Sequence, residues 1–175
     1  MANYALTPNG VKLVSVSSET LFFGGGAMAL LGKEVAKSFA DIDTSEFGFI
    51  EADEAFVAVH PALTDALRGI NPSFMEAIVL HEEGHCLLGH CVPAEEYKEI
   101  VCPNGAVIFD SLAAELQADK HAADVVGSAT LVAALTTSID VILDLFKDRL
   151  GEEALVGLRE GIYQSIQPRL DALVG

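Results

Sequence analysis

The sequence predicts an α+β fold, a small sheet followed by a helical C-terminal half. Short β-prone runs lie mainly in the first third, apolar residues recur at helical spacing over 71–90 and again from 110 to the end, and no repeat or long linker divides the chain. With 175 residues, 51% of them hydrophobic, the chain can bury one core of ordinary size, so a single domain over 1–175 is expected.

Gly10 to Ser17 alternates loosely and reads as a strand. Gly24-Gly25-Gly26 lacks the G-x-G-x-x-G spacing of a phosphate cradle and reads as a flexible loop, after which Gly26 to Ala40 has helical spacing. Phe47 to Ile50 and Ala55 to Val59 are β-prone runs separated by Glu51-Ala52-Asp53-Glu54, and Pro61 ends the second. Asn71-Pro72 is a helix start, with asparagine as cap and proline at the first position, and this helix should run to about His90. Tyr97 to Cys102 and Ala106 to Phe109 flank an Asn104-Gly105 turn and suggest a hairpin. A further helix starts at Asp110 or Ser111 and ends near Gly127. Ser128 to Leu150, stopped by Gly151, and Glu152 to Leu173 follow as two long amphipathic helices.

Charge and cysteine content narrow the function. The 26 acids against 10 Lys plus Arg give a net charge of -16, which repels phosphate backbones and anionic lipid. Nucleic acid and membrane are therefore not expected partners, and the acid excess keeps the protein soluble or attracts basic substrates. The longest apolar stretch, Leu21 to Leu31, is broken by the triple glycine and is shorter than the roughly 20 residues a membrane helix needs. Cys86, Cys91 and Cys102 are odd in number, and the first residues show no basic start with an apolar run. Reduced, buried thiols and a cytoplasmic setting are the expectation.

His81-Glu82-Glu83-Gly84-His85 is an H-E-x-x-H run inside a predicted helix. Histidines four apart lie within about 40° on one helical face and can grip one metal ion, with Glu82 about 60° beyond them, placed to act on a water at that metal. Helical projection puts His90 near 180°, away from the pair, so it is not the third ligand. The best third ligand is Glu115, in the run Glu115-Leu116-Gln117-Ala118-Asp119. Asp119 shares its face and could accept a hydrogen bond from the free ring nitrogen of a metal-bound histidine. Small residues at Ala118 and Ala122 would allow close approach to the H-E-x-x-H helix. His121 projects among Gln117, Lys120 and Asp124 and reads as solvated.

At His81, Glu82, His85, Glu115, Ala118 and Asp119 the chain resembles the gluzincin zinc metallopeptidases, in particular those with an E-x-x-A-D second motif. The resemblance covers roughly residues 47 to 126, and Gly84 and the Gly89-His90 pair also recur in such peptidases. It departs at Glu83, where an apolar residue is usual, and in lacking the membrane helices of the larger forms. It implies a zincin-like domain, Zn2+ on His81, His85 and Glu115, Asp119 behind the ligands, and hydrolysis of a peptide or protein substrate by a zinc-bound water that Glu82 activates. It also implies an edge strand that aligns substrate, here the Ala55 to His60 segment. His60, Tyr97 and Arg159 are equal candidates for stabilising the oxyanion, and His60 and Tyr97 for contacting substrate. The alternative is a non-catalytic interaction or assembly protein, including a phage structural protein, that keeps such a fold. Oligomeric state is not legible at this level.

Overall fold

The computed structural model describes residues 4–91 and 111–175. In chain order the elements are β1 (Ala5–Leu6), β2 (Lys12–Ser15), α1 (Glu19–Phe23), β3 (Ala27–Leu31), α2 (Val35–Ser38), β4 (Ala55–Val59), α3 (Pro61–Ile70), α4 (Pro72–Leu87), α5 (Ser111–Val126), α6 (Ser128–Phe146) and α7 (Glu152–Val174). The protein is thus α+β, with one mixed sheet ordered β1-β2-β4-β3 in which β2 and β4 are parallel and the outer pairs antiparallel. The hairpin expected over 97–109 lies outside the described residues, as do Tyr97 and Cys102.

β4 is central because its residues Phe56 to Val59 are apolar on both faces, which only an inner strand covered on both sides can bury. Phe56 and Ala58 join Val14, Leu21, Leu30, Val35 and Phe39 on one face. Val57 and Val59 face the main core, where Leu63, Leu67, Ile78, Leu80 and Leu131 meet. The expected edge strand at Ala55 to His60 is therefore corrected: among the described residues β4 is an inner strand, and β3 is an edge strand paired only to β4. β3 falls where helical spacing suggested one helix over Gly26 to Ala40. Ladder pairing outweighs intrinsic preference at Ala27–Leu31, and helix resumes only briefly at α2. Gly25 and Gly26, with φ of 112° and 78°, make the turn into β3, and a Cβ on Gly26 would lie 2.8 Å from Leu63 Cδ2.

Phe47 to Ile50 is not a strand either. A 3-10 turn covers Thr44–Phe47, Ile50 N–H donates back to Phe47 O, and the Phe47 and Phe49 rings stack in the cluster around Phe39 and Phe56. Pro61 ends β4 and also starts α3, a helix the sequence reading passed over. His60 caps it by accepting from Ala62 N–H at 3.2 Å, and Leu63 and Leu67 are its buried stripe.

α4 begins as expected, with Asn71 Oδ1 accepting from Ser73 N–H at 3.1 Å. It is the central helix and packs against β3, β4, α3, α5 and α6, so its buried residues include Met75, Ala77, Ile78, Val79, Leu80, His81, Glu83 and Gly84 rather than a single stripe. It ends at Leu87, three residues short of the expected His90, because Gly89 takes a left-handed φ of 75° and reverses the chain. α5 lies close against it: a Cβ on Gly84 would stand 3.0 Å from Ala118 Cα, and Ala118 and Ala122 are fully buried. Among the described residues α6 alone is long and apolar enough to cross a membrane. Leu131, Ala134, Leu135, Ile139, Leu143 and Phe146 form its buried face.

Candidate metal centre

α4 and α5 bring three donors to one point. His81 Nε2 lies 3.2 Å from His85 Nε2 and 3.2 Å from Glu115 Oε2, and Glu115 Oε1 lies 3.4 Å from His85 Nε2. The close seating of Gly84 on Ala118 sets this separation, since any side chain at 84 would push α5 and its carboxylate outward. The three residues form a group able to hold a metal ion, their donor atoms lying within 4.8 Å of one another.

The far side of each ring is committed, which tests whether the donors fit a cation. His81 Nδ1 is 2.9 Å from Asp119 Oδ1; Asp119 is a carboxylate, so the nitrogen is the donor and Nε2 is the atom that faces a metal once its own proton leaves. His85 Nδ1 lies 3.0 Å from His90 Nδ1, and His90 Nε2 lies 3.2 Å from Gln117 Oε1. An amide oxygen only accepts, so His90 Nε2 donates, His90 Nδ1 accepts, and His85 Nδ1 carries the proton. His85 Nε2 is thereby freed, and the donor set fits a divalent cation.

Both histidines set aside in the sequence reading are thus corrected. His90 does not point away from the pair, because the chain leaves the helix before residue 90; Gly89 was the signal, since a helical projection cannot be carried past such a residue. The 90 side chain backs His85 as Asp119 backs His81, but without a charge. His121 is not simply solvated: its Nε2 lies 3.0 Å from Glu83 Oε2. Glu83, with no exposed surface, also accepts from Asn9 N–H at 3.2 Å and from Asn9 Nδ2 at 2.9 Å. Burial would raise the Glu83 carboxyl, but hydrogen bonds from Thr7, His121 and Asn9 outweigh it and hold the pKa below the usual range. The acid that breaks the expected apolar position ties the N-terminal turn to α4 and α5.

Arg169, on α7, was not anticipated. It donates from Nε to Asp119 Oδ2 at 2.8 Å and from Nη2 to Asp119 Oδ1 at 2.7 Å, while Nη1 lies 2.7 Å from Glu115 Oε2. Its position 169 continues the apolar stripe of Ile162, Ile166 and Leu173, and a cation on such a stripe is a signal that a buried acid awaits it. Arg159, the arginine offered by the sequence, instead pairs with Asp140 of α6 and is exposed. His60 sits at the cap of α3 with its ring 5.0 Å from Phe22. Cys86 and Cys91 are half-buried free thiols, more open than expected.

Glu82 is half-buried and lines a cleft beside the three donors, together with Gly24 and Ala27, Met28 and Ala29 of β3. A second cleft adjoins it, sharing Glu82, His85 and Glu115 and lined further by Leu63, Ile78, His81, Leu135, Ser138 and Arg169. Burial pulls the His81 imidazole down, but hydrogen bonds to Asp119 and Glu115 outweigh it and hold its pKa up at about 9. Glu115 and Asp119 are both held below the carboxylate range. Burial opposes this, but the hydrogen bonds with His81 and His85 lower Glu115, and those from Arg169 and His81 lower Asp119.

Two expected results follow from these contacts. His90→Ala should weaken zinc binding by about 10-fold, toward the lower end of what loss of an outer partner costs because the partner is uncharged. His90→Gln, which can still accept, should recover part of it; equal affinity of wild type and His90→Ala in a competition titration would contradict the relay. The second concerns pH. In chelator-treated protein His81 keeps its second proton up to about 9, so a metal must displace it. Apparent zinc affinity should rise about tenfold per pH unit from about 7 toward 9 and then level off. The same raised pKa stabilises the chelated fold below the ordinary value of 6.5, and that contribution is lost as pH rises through about 9. A zinc affinity flat across this range would show that His81 is not the proton donor.

No family model matches the chain, and neither the curated proteins nor the solved structures compared with it give a match.

Proposed function

We propose that the protein is a zinc-dependent metallopeptidase of zincin-like fold. One observation carries this reading: His81 Nε2, His85 Nε2 and the Glu115 carboxylate converge at the wall of a cleft that Glu82 also lines. Two imidazoles and a carboxylate suit zinc, which in catalytic sites takes three protein ligands and leaves one position open; bound there, it would polarise a carbonyl and acidify a water.

The protein's own residues supply the rest. Glu82, next to His81 on α4 and lining the cleft, would take the proton from the attacking water and pass it to the departing amine. β3 borders the cleft and among the described residues is an edge strand, so an extended peptide would add to the sheet there and lay its backbone across the donors. The acid excess favours peptides with basic residues.

The test is proteolysis of a diverse peptide library by the full chain, before and after chelation. Cleavage should stop with the chelator and return with zinc. A wild-type protein with one zinc per chain that cleaves nothing would leave the assembly-protein alternative as the better reading.

A further inference from the structure

α7 is a long helix with little to hold it. Its 23 residues include none that is buried, and among the described residues it packs mainly on α5 and α6. Gly157 and Gly161 lower its helical preference without a packing reason, since a Cβ on either would meet nothing within 4 Å. Pro168, inside the helix, removes the backbone hydrogen bond to the carbonyl of Gln164. The first half is tied by Arg159 to Asp140 and by Tyr163 Oη to Thr136 O at 3.5 Å. The second half is tied by Arg169, whose side chain is 12% exposed, and by partial burial of Leu170 and Leu173 against the core.

Arg169 shares its partners with the metal centre. Glu115 Oε2, which takes Arg169 Nη1 at 2.7 Å, is the oxygen 3.2 Å from His81 Nε2, and Arg169 Nη2 is itself 3.5 Å from that nitrogen. A cation taken up by His81, His85 and Glu115 draws on the same carboxylate and adds net positive charge beside atoms that the guanidinium already touches. Like charges at that separation, away from bulk water, repel strongly.

We propose, on the basis of the metal-centre reading above, that α7 is a strap set by the charge at that centre: a divalent cation displaces Arg169 from Glu115 and loosens the helix from Gln164 onward. Asp119 keeps its bond to His81, so the donors stay oriented while the strap gives. Because Arg169 lines the adjoining cleft with Leu135 and Ser138, loosening widens that cleft for an extended chain. Linkage makes the effect reciprocal, and whatever pins α7 down must weaken zinc binding by the same factor.

Amide hydrogen exchange on the full chain, chelator-treated and zinc-loaded, tests this with zinc stoichiometry measured alongside. Zinc should speed exchange over residues 164–174 by about tenfold, within the usual range of coupling between sites. His85→Ala, which removes a donor that Arg169 does not touch, should keep the slow exchange with or without zinc. Arg169→Gln should exchange fast without zinc and not respond to it; if it fails to fold, Arg169→Lys, which keeps the charge, must still respond. Wild-type protein that binds zinc while α7 exchanges no faster overturns the strap alone, as does Arg169→Gln or a folded Arg169→Lys that contradicts these results. A wild-type protein that takes up no zinc overturns the metal reading together with the strap.

Discussion

Glu82→Gln is expected to fold, to take up zinc as the wild type does and to lose at least about 100-fold in peptide hydrolysis, the scale attributed to a positioned proton transfer. The substitution keeps size and shape and removes the basic carboxylate. Glu82 stands apart from the donor group, so ligation should be spared, yet it lines the cleft with His81, His85 and Glu115, so chemistry should not be. Steady-state cleavage of one good library peptide, normalised to bound zinc, measures this. A Glu82→Gln protein that cleaves at the wild-type rate would dispose of the mechanism even if the protein is a peptidase.

Glu115→Ala is expected to cost more zinc affinity than the roughly 10- to 100-fold that loss of an outer partner costs, because it removes one of three donors. It also strips Arg169 of its contact at Oε2 while leaving the two to Asp119. The matched control is His121→Ala. That ring bonds Glu83 and not the donor group, so zinc should be retained while the fold weakens by about 1–3 kcal/mol, the usual cost of leaving a buried polar group short of a partner. Competition titration and denaturant unfolding on both proteins separate the two roles. If Glu115→Ala holds zinc as tightly as His121→Ala, the ligand set is wrong.

Much of the centre is local in the chain, and local features are what a sequence shows. His81 and His85 are on one face because a helix turns 3.6 residues at a time, and Asn71-Pro72 announces where that helix begins. The spacing of Glu115 and Asp119, with small residues at Ala118 and Ala122, is likewise a property of α5 alone. Gly84 and Ala118 then show why these two helices could be matched: only residues without bulk allow the approach that brings the carboxylate to the imidazoles.

Other features depend on what lies across the fold. Whether Ala27–Leu31 is strand or helix was decided by β4, against which it pairs, and that pairing put β3 rather than β4 at the edge beside the cleft. His90 reached His85 because Gly89 reversed the chain, a change of direction that helical periodicity does not contain. Glu83 looked out of place until Asn9 and His121, 74 and 38 residues away, were seen to satisfy it. Arg169 lies 50 residues beyond Asp119 and meets it only because α7 folds back over α5. Periodicity, capping and motif spacing act over a few residues and are written in the sequence by itself; the partners of buried charges are chosen by tertiary packing, because a desolvated charge takes whichever opposite group the fold delivers to it.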